Sequence, residues 1–122
     1  SSRLFDELEK RYENSSNLKL EALVSYVDQN FTNYDINADT IASSLGISSR
    51  SVYKSVKEGL DCTLSEYIDM LRMKKASDML LNTQLNINNI SEMCGYSSTN
   101  TFYRAFKKHF VVTPSQYRSI SK

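Results

Sequence analysis

The sequence predicts an all-α protein made of two similar lobes joined by one long helix. Three observations carry that expectation. With three Gly and one Pro among 122 residues, strand-and-turn punctuation is sparse. Apolar residues recur at helical spacing in segment after segment. The stretch Ile41 to Tyr67 is then copied, with one residue inserted, as Ile90 to Tyr117. A chain of this length makes one compact domain with a modest core, or two small lobes sharing a helix.

Taken in order, Leu4, Phe5, Leu8 and Tyr12 fall on one helical face among Asp6, Glu7, Glu9, Lys10, Arg11 and Glu13, and Asn14-Ser15-Ser16-Asn17 is expected to stop that helix. Residues 1–17 thus form an amphipathic segment, which serves either as a linker or dimer contact or as a cap on the first lobe. The first lobe is expected over 18–62. It starts with a core-facing helix carrying Leu20, Leu23, Val24, Val27 and Phe31. Asn37 can cap a short helix Ala38 to Leu45, and Gly46 permits the turn that follows. A second helix from Ser49 to about Glu58 buries Val52 and Val56.

Residues 63–81 hold no Gly or Pro and place Leu64, Tyr67, Ile68, Leu71, Met79 and Leu80 on one stripe, so they read as the connecting helix. At 1.5 Å per residue it spans roughly 28 Å, long enough to hold one helix of each lobe well apart. Arg72, Lys74 and Lys75, midway along it, are candidate phosphate contacts. The second lobe, 82–122, follows an Asn-rich loop. It has a helix from Asn88, as cap, to Cys94, a turn at Gly95, a helix opened by Ser97 and Ser98, and a last helix from Pro114, with Tyr117 and Ile120 packing back.

Within the repeat, Ile41, Gly46, Ser48 and Ser49 match Ile90, Gly95, Ser97 and Ser98 at a shift of about 49. Beyond the inserted residue Tyr53, Lys54, Val56, Lys57, Thr63, Ser65 and Tyr67 match Tyr103, Arg104, Phe106, Lys107, Thr113, Ser115 and Tyr117 at a shift of about 50. Each copy is short helix, glycine turn, capped second helix, which is helix-turn-helix spacing. The outward faces are basic and amide-bearing. Charge follows the same division: residues through Leu45 hold four basic and eight acidic side chains, net −4, whereas those from Gly46 hold eleven and six, net +5.

The run Gly95 to Arg118, with Phe106-Lys107 followed by Thr113-Pro114 and Tyr117-Arg118, resembles the signature of the AraC/XylS family of bacterial transcription regulators, whose DNA-binding domain carries the same duplication. The resemblance spans roughly Ile36 to Arg118. It implies sequence-specific binding of double-stranded promoter DNA, usually in activation, with two recognition helices in successive major grooves and RNA polymerase as a further partner. Carried over, base-edge contact falls to Arg50, Ser51 and Lys54 in the first copy and to Thr99, Asn100, Tyr103 and Arg104 in the second. Arg suits guanine and Asn suits adenine, because each matches a pair of groups on the base edge. Backbone contact falls to Ser48, Ser49, Tyr53, Lys57, Ser97, Ser98, Lys107 and Lys108. Where the family often has a Gly ending the recognition helix, this chain has Asp61 and Val111. Asp tolerates a left-handed cap, and the β-branched Val is expected to avoid positive φ.

An enzyme lacks its parts here. His109 is the only histidine, and Cys62 and Cys94 are far apart without Cys-x-x-Cys spacing, so neither a triad nor a metal site assembles and no cofactor is expected. The cysteines read as reduced thiols of a cytoplasmic protein. No apolar run reaches the roughly 18 residues of a membrane span. The opening Ser-Ser-Arg suggests a fragment, with an effector-binding or dimerisation domain upstream. The competing function is a helical protein-interaction module binding polymerase or a partner regulator, but such a face would expose aliphatics rather than Arg50, Lys54, Arg104, Lys107 and Lys108.

Overall fold

The computed structural model describes residues 2–121, including the side chains of residues 3–11 and 16–121. Those residues form α1 (Ser2–Asn30), α2 (Ala38–Leu45), α3 (Ser49–Leu60), α4 (Leu64–Asn82), α5 (Ile87–Met93), α6 (Thr99–Phe110) and α7 (Pro114–Ile120), with no strand among them. The all-α expectation holds.

The chain divides into two compact units, one holding the chain through Asp28 with Asn37–Leu64, the other Gln29–Ile36 with Ser65 onward. In the first unit Leu23 and Val27 of α1, Ala38, Ile41 and Ala42 of α2, Val52 and Val56 of α3, and Leu64 form the buried set. Asn37 and Thr40 cap α2 reciprocally, each side chain accepting from the other's backbone N–H at 2.9 and 3.0 Å. Gly59 lets α3 approach α1: a Cβ there would lie 2.5 Å from Leu20 Cδ2.

The second unit is more aromatic. Met73, Ala76 and Leu80 of α4, Ile90 and Cys94, Tyr96, and Phe102 and Phe106 of α6 make one buried cluster, flanked by Met79, Leu85, Ile87, Ala105, Phe110 and Tyr117. Phe106 touches Phe110 and Tyr117 with ring centroids 4.5 and 5.5 Å away, which fastens α7 to α6. Arg118 adds a polar tie: its Nε donates to the Leu80 carbonyl at 3.1 Å, satisfying an acceptor in the last turn of α4.

Several expectations are corrected. α1 does not stop at Asn14–Asn17 but runs unbroken from Ser2 to Asn30. Asn and Ser cost only roughly half a kcal/mol each against Ala in a helix, with neither Gly nor Pro present, and continuing a helix is cheaper than nucleating a second one. Leu4, Phe5 and Leu8 are exposed, while the Tyr12 side chain assigned to that face, like that of Glu13 among the charged residues around it, lies outside the described residues. Asn86, not Asn88, caps α5, its Oδ1 accepting from Asn89 N at 2.8 Å. Ile120 is exposed rather than packed, so Tyr117 and Arg118 do the fastening. Val111 adopts φ +72°, in the left-handed region. It is held there because its N–H closes the α6 terminus on the Lys107 carbonyl at 2.8 Å.

Candidate nucleic-acid interface

In each unit a left-handed glycine separates a short helix from a longer one. Gly46 (φ +69°) ends α2 and Gly95 (φ +99°) follows α5. The cap of the longer helix comes two residues after Gly46, at Ser48, but three after Gly95, at Ser98. The inserted residue of the repeat is therefore in the second turn. Ser98 corresponds to Ser48, and Ser97 is an extra exposed turn residue rather than a helix cap.

Along α3 the fully buried Val52 and Val56 set the inner face, leaving Arg50, Tyr53, Lys54 and Lys57 exposed. Ser51 is half-buried and already engaged. Its N–H donates to Ser48 Oγ at 3.1 Å and its own Oγ accepts from the Ser48 hydroxyl at 3.0 Å. Ser51 and Lys54 also border a groove of about 480 Å³ whose far wall is Ser16, Asn17, Lys19 and Leu20 of α1. Ser49, the first residue of α3, donates its hydroxyl to Asp39 Oδ1 on α2 at 2.5 Å.

α6 repeats the plan with larger anchors. Phe102 and Phe106 are fully buried, 5.8 Å apart, and turn Asn100, Arg104, Lys107 and Lys108 to solvent. Burying each ring is worth roughly 1.5–3 kcal/mol, so the rotation of α6 about its axis is firmly set. Tyr103 is half-buried, edge-on to Phe102. Thr99 is also half-buried and donates to Asn88 Oδ1 on α5 at 3.1 Å. Ser98 accepts from Thr101 N at 3.2 Å.

The two copies thus share a link that the sequence did not reveal. The second residue of the shorter helix, Asp39 or Asn88, accepts from the first residue of the longer one, Ser49 or Thr99. The equivalence of Asp39 and Asn88 within the repeat was the available signal. Arg72 is also placed differently from its expected role. It donates from Nε to the Phe31 carbonyl at 2.8 Å and from NH2 to the Asn33 carbonyl at 3.1 Å, with its guanidinium 5.2 Å from the Tyr96 ring centroid. That arginine anchors the second unit and has little left for a phosphate.

Among the described residues no group of three or more His, Cys, Asp or Glu is placed to hold a metal, and no helix is long and apolar enough to cross a membrane.

Residues 41–120 match the helix-turn-helix domain family. The xylose operon regulatory protein of Escherichia coli K12 is 38% identical over 86 residues, which are 70% of this chain and 22% of that regulator, so the chain spans about a fifth of its length. Among solved structures, the C-terminal domain of AraT, a response regulator from Geobacillus stearothermophilus, superposes with a TM-score of 0.82 at 30% identity, covering 84% of each chain. A transcriptional regulator with an AraC-type DNA-binding domain from Chromobacterium violaceum gives 0.74 at 31% identity, covering 87% of this chain and 94% of its own.

Proposed function

The chain belongs to the AraC/XylS family of helix-turn-helix transcription regulators, and from that premise we propose that it reads a promoter by placing α3 and α6 in successive major grooves of double-stranded DNA. The observation that carries this reading is the exposure of Arg50, Lys54, Lys57, Asn100, Arg104, Lys107 and Lys108 on two helices whose opposite faces are fully buried. Arg50, Lys54, Asn100 and Arg104 are the base readers, with Tyr103 beside them. Ser51 and Thr99, with hydroxyls already engaged, support helix starts instead. Lys57, Lys107 and Lys108, further along each helix, meet phosphates together with the backbone N–H groups at the helix starts. Tyr53, exposed beside Lys54, stacks against sugar or backbone.

The whole regulator, by this reading, acts in the cytoplasm as an activator that contacts RNA polymerase and carries an effector-binding or dimerisation domain elsewhere in its length. Fluorescence anisotropy of labelled duplex against salt tests the DNA step. Several phosphate contacts give a log-log slope of about −0.9 per contact. Affinity that hardly changes with salt counts against groove docking.

A further inference from the structure

The link between the short and long helices joins the same two positions in both units, with a different charge on the acceptor. In the second unit the acceptor is the neutral amide of Asn88, 3.1 Å from Thr99 Oγ1. In the first it is the carboxylate of Asp39, 2.5 Å from Ser49 Oγ. Both acceptors hold the first residue of the helix that enters the groove, the end from which base edges are read. A carboxylate there complements the α3 helix dipole and orients α3, but in a docked complex its charge opposes the negatively charged duplex that Arg50 and Lys54 enter.

Building on the proposed DNA binding, we infer that Asp39 and Asn88 are positioning residues that set unequal grips for the two readers. Asp39 holds α3 in place while weakening its hold on DNA, and Asn88 holds α6 without that repulsion. α6 therefore supplies most of the affinity and α3 tunes it.

The test exchanges the two charges while keeping the hydrogen bonds. A duplex recovered by selection with the unmodified domain, and a scrambled duplex of equal length, are titrated with Asp39→Asn and Asn88→Asp at several salt concentrations. Asp39→Asn is expected to tighten binding to both duplexes about three- to tenfold at low salt, and Asn88→Asp to weaken it by a similar factor. Both changes should shrink as the Debye length falls to about 8 Å. Melting temperatures should move by no more than a few degrees, down for Asp39→Asn and up for Asn88→Asp, because an acceptor remains in each variant and only the charge at the helix start changes. Asp39→Ala, which removes the acceptor, should lower the melting temperature, and its loss should not add to that of Ser49→Ala in a double-mutant cycle. Unchanged or weaker binding by a folded Asp39→Asn protein overturns the inference, as do additive losses in the cycle. If the unmodified domain selects no duplex, the DNA-binding reading fails first and takes this inference with it.

Discussion

Gly95 passes so close to Thr32 that a Cβ built on it would lie 2.8 Å from the Thr32 carbonyl oxygen, whereas Gly46, its counterpart in the first repeat, faces open space. Both glycines take positive φ, so the turn alone makes either one preferable to an L residue. Only Gly95 is required for a second reason: the loop after α1 runs directly against it.

Substituting each by Ala should separate the two reasons. Gly46→Ala is expected to lose about 1–2 kcal/mol, the usual cost of a left-handed L residue. Gly95→Ala adds a clash with backbone that cannot move aside, roughly 1–3 kcal/mol more. Urea midpoints of the two variants are the measurement. Equal losses would mean that the loop from Phe31 to Thr32 yields freely.

Val111 is the converse case, a β-branched residue at φ +72° with its side chain 79% exposed. Little packing is lost by removing that side chain. Val111→Gly should gain up to about 1 kcal/mol, the relief of left-handed strain exceeding the extra chain entropy of glycine. Calorimetry would show the melting temperature rising by a few degrees. A fall would mean that Val111 contributes contacts beyond its exposed surface.

Within α6, reading and positioning should come apart. Asn100 and Arg104 lie four residues apart on one exposed face, and Lys107 and Lys108 lie about a turn further on. Arg104→Ala is expected to cost about 1–3 kcal/mol on the best site and little on random duplex, while Lys107→Ala weakens both alike and lowers the salt slope by about one. Titrations against specific and scrambled duplexes decide it. Equal losses on the two duplexes would remove Arg104 from the base readers.

The thiols should differ in chemistry and in their effect on stability. Cys94 is fully buried, and burial pushes its thiol from 9.0 up to about 11 despite the nearby cations Lys75 and Arg72. Well below pH 9 the thiol is protonated in folded and unfolded chains alike, and it leaves stability independent of pH. Between 9 and about 11 the unfolded chain sheds the proton while the folded one keeps it, so stability falls as pH rises. The Tyr96 hydroxyl, raised by burial and by the Asp69 carboxylate that it donates to at 3.2 Å, adds a loss of the same sign at higher pH. Urea midpoints measured upward from about pH 8 should decline, and less steeply in Cys94→Ala. Half-buried Cys62 should react with a thiol reagent in the native state well before Cys94 does. Comparable labelling rates would show that the second core opens readily.

The sequence by itself determined the all-helical character, the duplication and the buried faces of α3 and α6, because these are periodic properties. Val52 and Val56, or Phe102 and Phe106, four residues apart, can be buried together only on one side of a helix, and Arg50, Lys54, Asn100 and Arg104 then point the other way. Features that depend on residues distant in the chain were decided only by the tertiary structure. Arg72 looked like a phosphate ligand until the carbonyls of Phe31 and Asn33, some forty positions away, claimed its guanidinium. The Asn86 cap, the one-residue offset that makes Ser98 rather than Ser97 the start of α6, and the continuity of α1 were decided by small differences between local alternatives, each a fraction of a kcal/mol to about 1 kcal/mol. Val111 shows the same limit: its intrinsic preference opposes positive φ, but closing α6 on the Lys107 carbonyl and burying Phe106, Phe110 and Tyr117 together outweigh it.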